Sequence, residues 1–220
     1  MTKGPAGMGS RLDALHSLPM DEPKSLGRPE VRDARKAMLH ESHVATLTSF
    51  VDDLRLERGL TTEIPYFDPL DGGINAKVLF VLEAPGAKAV ASGFISRNNP
   101  DETARNMFLL LKETGFNRVE SALWNIVPWY IGSGKKIRAA RSEDIRAGFP
   151  HLINIANRLT RLKGVVLVGK KAGRVREMLA GQLNLPVWET YHPSPLFVNN
   201  RPENRGLLLA MFREIRARID

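Results

Sequence analysis

The sequence predicts an α/β fold, a three-layer α/β/α sandwich around a central four-stranded parallel sheet. Three observations carry that expectation. Four short apolar runs, Val78–Leu82, Ala122–Val127, Val165–Gly169 and Pro186–Tyr191, are each closed by a turn-forming or polar residue. The first and third are apolar throughout rather than alternating, as strands buried on both faces are. Helical patterns lie between the runs, and strand alternating with helix is the signature of parallel pairing. With 220 residues, 43% hydrophobic and 25% charged, the chain has enough apolar surface for one sizeable core.

Residues 1–29 hold four Gly and four Pro with little apolar periodicity, which predicts a flexible N-terminal tail and a single domain over 30–220. From Pro29 a helical pattern begins; Val44, Leu47, Val51 and Leu54 share a face and Gly59 ends the run. Tyr66–Gly73 is rich in turn formers and reads as loop. After the strand at 78–82, Glu83-Ala84-Pro85-Gly86 turns the chain into a long connection through Gly93–Pro100. A helix follows, with Asp101 and Glu102 at its start, Ala104, Phe108 and Leu111 on its buried stripe and Gly115 past its end. Ser142-Glu143-Asp144 starts another helix, which Pro150 is expected to interrupt. A short helix follows the strand at 165–169, and Leu208, Met211, Phe212, Ile215 and Ile219 mark a final amphipathic one.

Composition removes several chemistries. The chain has no Cys, so disulfides, thiolate metal sites, iron–sulfur clusters and a cysteine nucleophile are all excluded. No apolar run approaches the ~18 residues of a membrane span, and no signal peptide opens the chain, so a cytoplasmic protein is expected. The net charge is +8, and no acidic residue falls between Ile145 and Arg176, where Arg146, Arg158, Arg161, Lys163, Lys170, Lys171, Arg174 and Arg176 stand. Such a stretch suits a polyanion such as nucleic acid, or is simply a solvated basic face.

The candidate chemistry lies at strand ends. In a parallel sheet, ligands bind at the carboxyl edge, and Glu83, Asn125 and His192 each stand at or just past such an end. Glu83 is either a site carboxylate or a solvated strand terminus. His192 opens His192-Pro193-Ser194-Pro195, a loop stiffened by two prolines that would hold an imidazole in place. The five His are scattered without ligand spacing, so no metal set emerges. Ser194 lacks the setting of a serine nucleophile. Gly169-Lys170-Lys171 after a strand suggests phosphate contact.

Glu83-Ala84-Pro85-Gly86 resembles the first motif of the family 4 branch of the uracil-DNA glycosylase superfamily, and His192-Pro193-Ser194-Pro195-Leu196 resembles the second. Asn125 matches the family's base-reading asparagine, and Phe94 its base-stacking aromatic. The likeness spans roughly residues 64–220, with the motifs in the family's order. It implies a glycosylase that flips a base out of DNA, with Glu83 and His192 catalytic. Ala84, Gly86, Phe94 and Asn125 would then hold uracil, while Lys170, Lys171, Ser194, Pro195 and Leu196 would contact DNA, Leu196 as a wedge in the base stack. Asn98 and Asn99 either touch the base or a phosphate, or simply shape their turn.

The resemblance also has departures. The four cysteines of the family 4 cluster are missing, which implies a cluster-free relative stabilised by packing alone. Leu82 stands where a glycine usually precedes the motif's Glu. The family 1 branch carries Asp at the place of Ala84 and a thymine-excluding tyrosine at the place of Gly86. The resulting expectation is a monomeric, nucleoid-associated, monofunctional enzyme acting on uracil in DNA without metal or nucleotide cofactor. Its rivals are the same chemistry on another base such as hypoxanthine, a uracil- or abasic-site binder with little turnover, and an enzyme of free nucleosides.

Overall fold

The structure, a computed structural model, describes residues 20–59, 63–133 and 136–219. In chain order these form α1 (Pro29–Ala37), α2 (Ala45–Arg58), β1 (Tyr66–Phe67), β2 (Val78–Leu82), α3 (Ala87–Ser92), β3 (Phe94–Ile95), α4 (Glu102–Glu113), β4 (Ser121–Asn125), β5 (Gly132–Ser133) and β6 (Lys136–Ile137). Then come α5 (Ser142–Arg158), β7 (Gly164–Val168), α6 (Lys170–Gly173), α7 (Arg176–Leu183), β8 (Val187–Thr190), α8 (Pro195–Val198) and α9 (Glu203–Ile219). β4, β2, β7 and β8 lie side by side in that order, all parallel, as the central sheet. β1 and β3 form a separate parallel pair, and β5 and β6 an antiparallel one.

Alternation along the strands divides the core into two halves. On one face Phe80 meets Phe116 edge-on and stacks on Phe212 of α9, with ring centroids 5.2 and 5.6 Å away. On the other, Trp124 stacks on Phe67 at 4.1 Å and meets Phe50 of α2 edge-on. α4 and α9 pack together over the first face, and α2, α5 and α7 over the second, completing the three layers. Among the described residues no helix is long and apolar enough to cross a membrane.

Four expectations need correction. Tyr66–Gly73 is not all loop, because Tyr66 and Phe67 pair with β3 as β1. The N-terminal tail does not extend to residue 29: Ser25 and Leu26 are buried, and the Met20 carbonyl accepts hydrogen bonds from Ser25 and Arg35. Residues 1–19 lie outside the described range. Pro150 does not interrupt its helix, because α5 runs from Ser142 to Arg158. Ile145, Phe149, Leu152 and Ile155 bury a continuous stripe across the proline. The carbonyl that loses its partner, on Arg146, belongs to an exposed residue that water can solvate. β4 ends at Asn125 rather than at Val127, which leaves Asn125 as its last residue.

Packing alone does not hold the domain either. Arg35, Asp68, Asp71 and Arg97 are all buried, and Arg118 nearly so. Asp68 pairs with Arg35 and, at 2.6 Å, with Arg118, and also accepts from Ser96. Asp71 lies 3.0 Å from Arg118 and 3.5 Å from Arg97. Burial would raise the Asp68 carboxyl, but Arg118 and Arg35 outweigh it and hold it at about 2. At Asp71 burial prevails over Arg97 and Arg118 and pushes the carboxyl up to about 6. Asp68 therefore stabilises the fold above its ordinary value of 3.8, and that contribution is lost as pH falls toward 2. The network ties the segment from Asp21 through α1 to the loops at 68–72, 96–99 and 118–121.

Asp68→Asn leaves the buried Arg35 without a carboxylate partner, while Arg118 keeps Asp21 and Asp71, and is expected to cost about 3–5 kcal/mol in urea unfolding at neutral pH. A loss below about 1 kcal/mol, typical of surface pairs, would contradict the role given to the network.

Candidate active site

The carboxyl ends of the parallel strands meet along one sheet edge, where a cleft of about 860 Å³ opens. Glu83, Ala84, Gly86, Asn125 and His192 all line it. Sequence positions more than a hundred residues apart are thus brought together by register: Leu82 pairs with Asn125, one residue before Glu83. Beyond the strand end the pairing continues, with Ile126 donating to the Leu82 carbonyl (2.8 Å) and Val127 to that of Glu83 (3.0 Å).

The Glu83 carboxylate is fixed by one oxygen. Its Oε1 accepts from the backbone N–H of Ala140 at 2.6 Å, and Oε2 has no hydrogen bond among the described residues. Ala140 sits in the 138–141 loop, which Asp144 fastens by accepting from Arg138 (2.6 and 2.8 Å) and from the Arg141 N–H (2.7 Å). The Arg138 hydrogen bonds hold the Asp144 carboxyl at about 2, so this clasp is ionised throughout the ordinary pH range. Asn125 is 3% exposed, yet its side-chain amide makes no hydrogen bond to any described residue. The amide atoms themselves are not shut off from solvent, and the residue stands in the cleft wall.

His192 is mostly buried, and that burial lowers its pKa, against the opposing pull of Glu83 and Asp101. The imidazole is therefore neutral at pH 7. Gly169, just past β7, makes room for it: its φ is +89°, and a Cβ there would come within 2.9 Å of the His192 Cβ. The following loop is pinned by Asn106, which donates to the Pro193 carbonyl at 3.0 Å. Ser194 caps α8 by accepting from the Phe197 N–H (3.3 Å), Pro195 occupies the first turn, and Leu196 projects from it 83% exposed.

Phe94 is not brought to the site. It is fully buried with Leu26, Val31 and Leu39, on the far side of β3 from the cleft. Neighbouring strand residues point to opposite faces, so it is Ile95 that lines the cleft. Asn98 ties its turn to the N-terminal segment, its amide donating to the Glu22 carbonyl (2.8 Å), whereas Asn99 lines the cleft while its amide donates to the Phe94 carbonyl (2.9 Å). The basic stretch is not one face. Arg161 and Lys163 precede β7 and lie at the sheet edge opposite the cleft, while Arg158 covers the Phe50 ring. Lys170 faces a separate hollow of about 500 Å³ beside β8, and Lys171 donates to the Ala140 carbonyl at 2.7 Å.

Asp101 was legible only as a helix start. It does cap α4, accepting from the Ala104 N–H at 2.9 Å, but it also lines the cleft, and burial raises its carboxyl. Gly169 carried a signal, a glycine directly after a strand. Ala140 carried none.

The cleft at the carboxyl edge of the parallel sheet thus holds a carboxylate fixed through one oxygen, an imidazole and an amide. A sequence model of the Uracil DNA glycosylase superfamily matches residues 69–216, and the chain belongs to that superfamily, which makes it a DNA glycosylase. No curated protein matches the chain. Among solved structures, that of a candidate uracil DNA glycosylase from Methanosarcina acetivorans is 15% identical over 67% of this chain and 94% of its own, with a TM-score of 0.39.

Gly169→Ala puts a Cβ against His192 at a left-handed φ. It is expected to cost about 1–2 kcal/mol of stability and to slow base removal more than it weakens DNA binding. Equal losses in rate and binding would mean that Gly169 does not set the imidazole. A His favoured neutral by folding stabilises above its ordinary value of 6.5, and that contribution is lost as pH falls below it. Asp71, its carboxyl raised to about 6, adds stability as pH falls over the same range, so the imidazole is read as a difference: relative to His192→Gln, the wild type is expected to lose melting temperature as pH falls below 6.5, and parallel profiles would contradict the burial of a neutral imidazole. His151, also lowered by burial, keeps part of the slope in both.

Proposed function

We propose that the protein is a monofunctional DNA glycosylase of base-excision repair that flips uracil from DNA and hydrolyses its N-glycosidic bond, leaving an abasic site. The observation that carries this reading is the unpartnered Asn125 amide in one cleft with Glu83 and His192. An amide offers one donor and one acceptor, which match O4 and N3–H of uracil. Ile95 and the small residues of the 83–87 turn supply apolar surface for the ring.

Cleavage leaves positive charge on the sugar and negative charge on the departing base. Glu83, with Oε1 fixed and Oε2 open, suits stabilisation of the sugar and activation of water. The neutral His192 can donate to uracil O2, and the Asn125 NH2 group to O4, the two oxygens that share the leaving-group charge. Cytosine carries an amino group in place of O4 and spreads no such charge there. Selection for uracil thus arises in the transition state, even though no described neighbour fixes the sense of the amide.

The exposed Leu196 on its capped turn is suited to fill the gap left in the base stack. The cleft-lining lysine, Lys88, stands exposed at the rim, whereas imine-forming lysines work desolvated, which favours water as nucleophile. One observation favours a wider substrate range. A Cβ at Gly86 would meet nothing within 4 Å, so the cleft has room for a larger base such as hypoxanthine.

Glu83→Gln is expected to slow cleavage by about 10²–10⁴-fold while binding to uracil-containing DNA persists. Undiminished cleavage would remove Glu83 from the chemistry. Asn125→Asp places a carboxylate against O4 and should cut the preference for uracil over cytosine by about 1–3 kcal/mol. An unaltered ratio in competition assays would show that another group reads the base.

A further inference from the structure

We infer that Lys171 is a positioning residue for Glu83, acting through Ala140 rather than through a DNA phosphate; the inference rests on the role of Glu83 proposed above. Two hydrogen bonds meet on one residue. The Lys171 ammonium donates to the Ala140 carbonyl at 2.7 Å, and the Ala140 N–H donates to Glu83 Oε1 at 2.6 Å. Ala140 is 1% exposed, whereas Arg138, Ala139 and Arg141 around it are exposed. Besides its contact with Glu83, the loop has three anchors: the Asp144 clasp at the start of α5, the Arg138 N–H on the Ile131 carbonyl (3.4 Å), and the Lys171 contact.

These anchors act on different sides. Asp144 holds the loop to its own following helix. Lys171 extends from α6, directly after β7, and so fixes the loop to the sheet that also carries Glu83. Of the three anchors, the Lys171 contact is the one made to Ala140 itself. A charged donor on a carbonyl is among the stronger hydrogen bonds, and withdrawing it to reach a phosphate would leave that carbonyl unpaired beside the site. Without it the Ala140 N–H shifts, and the catalytic oxygen loses its fixed position.

The test uses the full chain and a uracil-containing duplex oligonucleotide. Under single-turnover conditions with saturating enzyme, Lys171→Met is expected to cleave about 10–100-fold more slowly. Its Kd for the same DNA and the salt dependence of that Kd should match the wild type. Lys171→Arg, which keeps a charged donor, should retain most of the rate, and in a Glu83→Gln background Lys171→Met should add no further loss. Hydrogen exchange at the Ala140 amide needs no substrate and should accelerate in Lys171→Met.

Wild-type cleavage rate, equal losses in Met and Arg variants, or unchanged exchange at Ala140 would each overturn the inference. So would weaker binding with a salt slope reduced by about one and an unchanged saturating rate, which marks a phosphate contact. A wild-type protein that releases no uracil would instead defeat the proposed function, and the Ala140 exchange would still decide whether Lys171 holds the loop.

Discussion

Parallel pairing of β2 with β4 and β7 is the constraint on which the site depends. A carboxylate, an amide and an imidazole at residues 83, 125 and 192 can share a cleft only because their strands point the same way and end at the same level. The register Leu82↔Asn125, prolonged by the Ile126 and Val127 hydrogen bonds, sets two of them within one strand spacing. The third arrives from β8 across β7, through the room that Gly169 leaves. A shift of one residue in β4 would turn Asn125 to the other face of the sheet.

The frame around this edge is held by charge as well as by apolar contact. Ser96, in the cleft wall, donates to Asp68, and Asp68 in turn binds Arg35 and Arg118. The wall that carries Ile95 is therefore tied to α1 and to the segment before it. In a chain without cysteines these buried ion pairs take up the work of anchoring the N-terminal segment. Such pairs add little net stability compared with apolar packing but are costly to break singly, which gives the arrangement one geometry.

The sheet was legible because strands buried on both faces read as unbroken apolar runs, and β2 in particular matches Val78–Leu82 residue for residue. The three strand-end groups were legible for the same reason. What was not legible depended on tertiary context. Phe94 looks like any aromatic beside a turn, and nothing local reveals that it faces Leu26 and Val31 while Ile95 faces the cleft. The proline at 150 is a strong local breaker, outweighed by apolar burial on both sides of it. Residues 20–28 have tail-like composition, but the partners that order them, Arg35 and Asn98 among them, lie farther along the chain. The Ala140 contact to Glu83 is made by a backbone group, which any residue but proline could supply.

The central claim is that this cleft releases uracil from DNA catalytically. It is tested most directly by chromatographic measurement of free base from duplexes carrying uracil, hypoxanthine or no lesion, with enzyme limiting. The account predicts many moles of uracil released per mole of protein and none from unmodified DNA. Absence of free uracil, or release that stops at one per protein molecule, would contradict it.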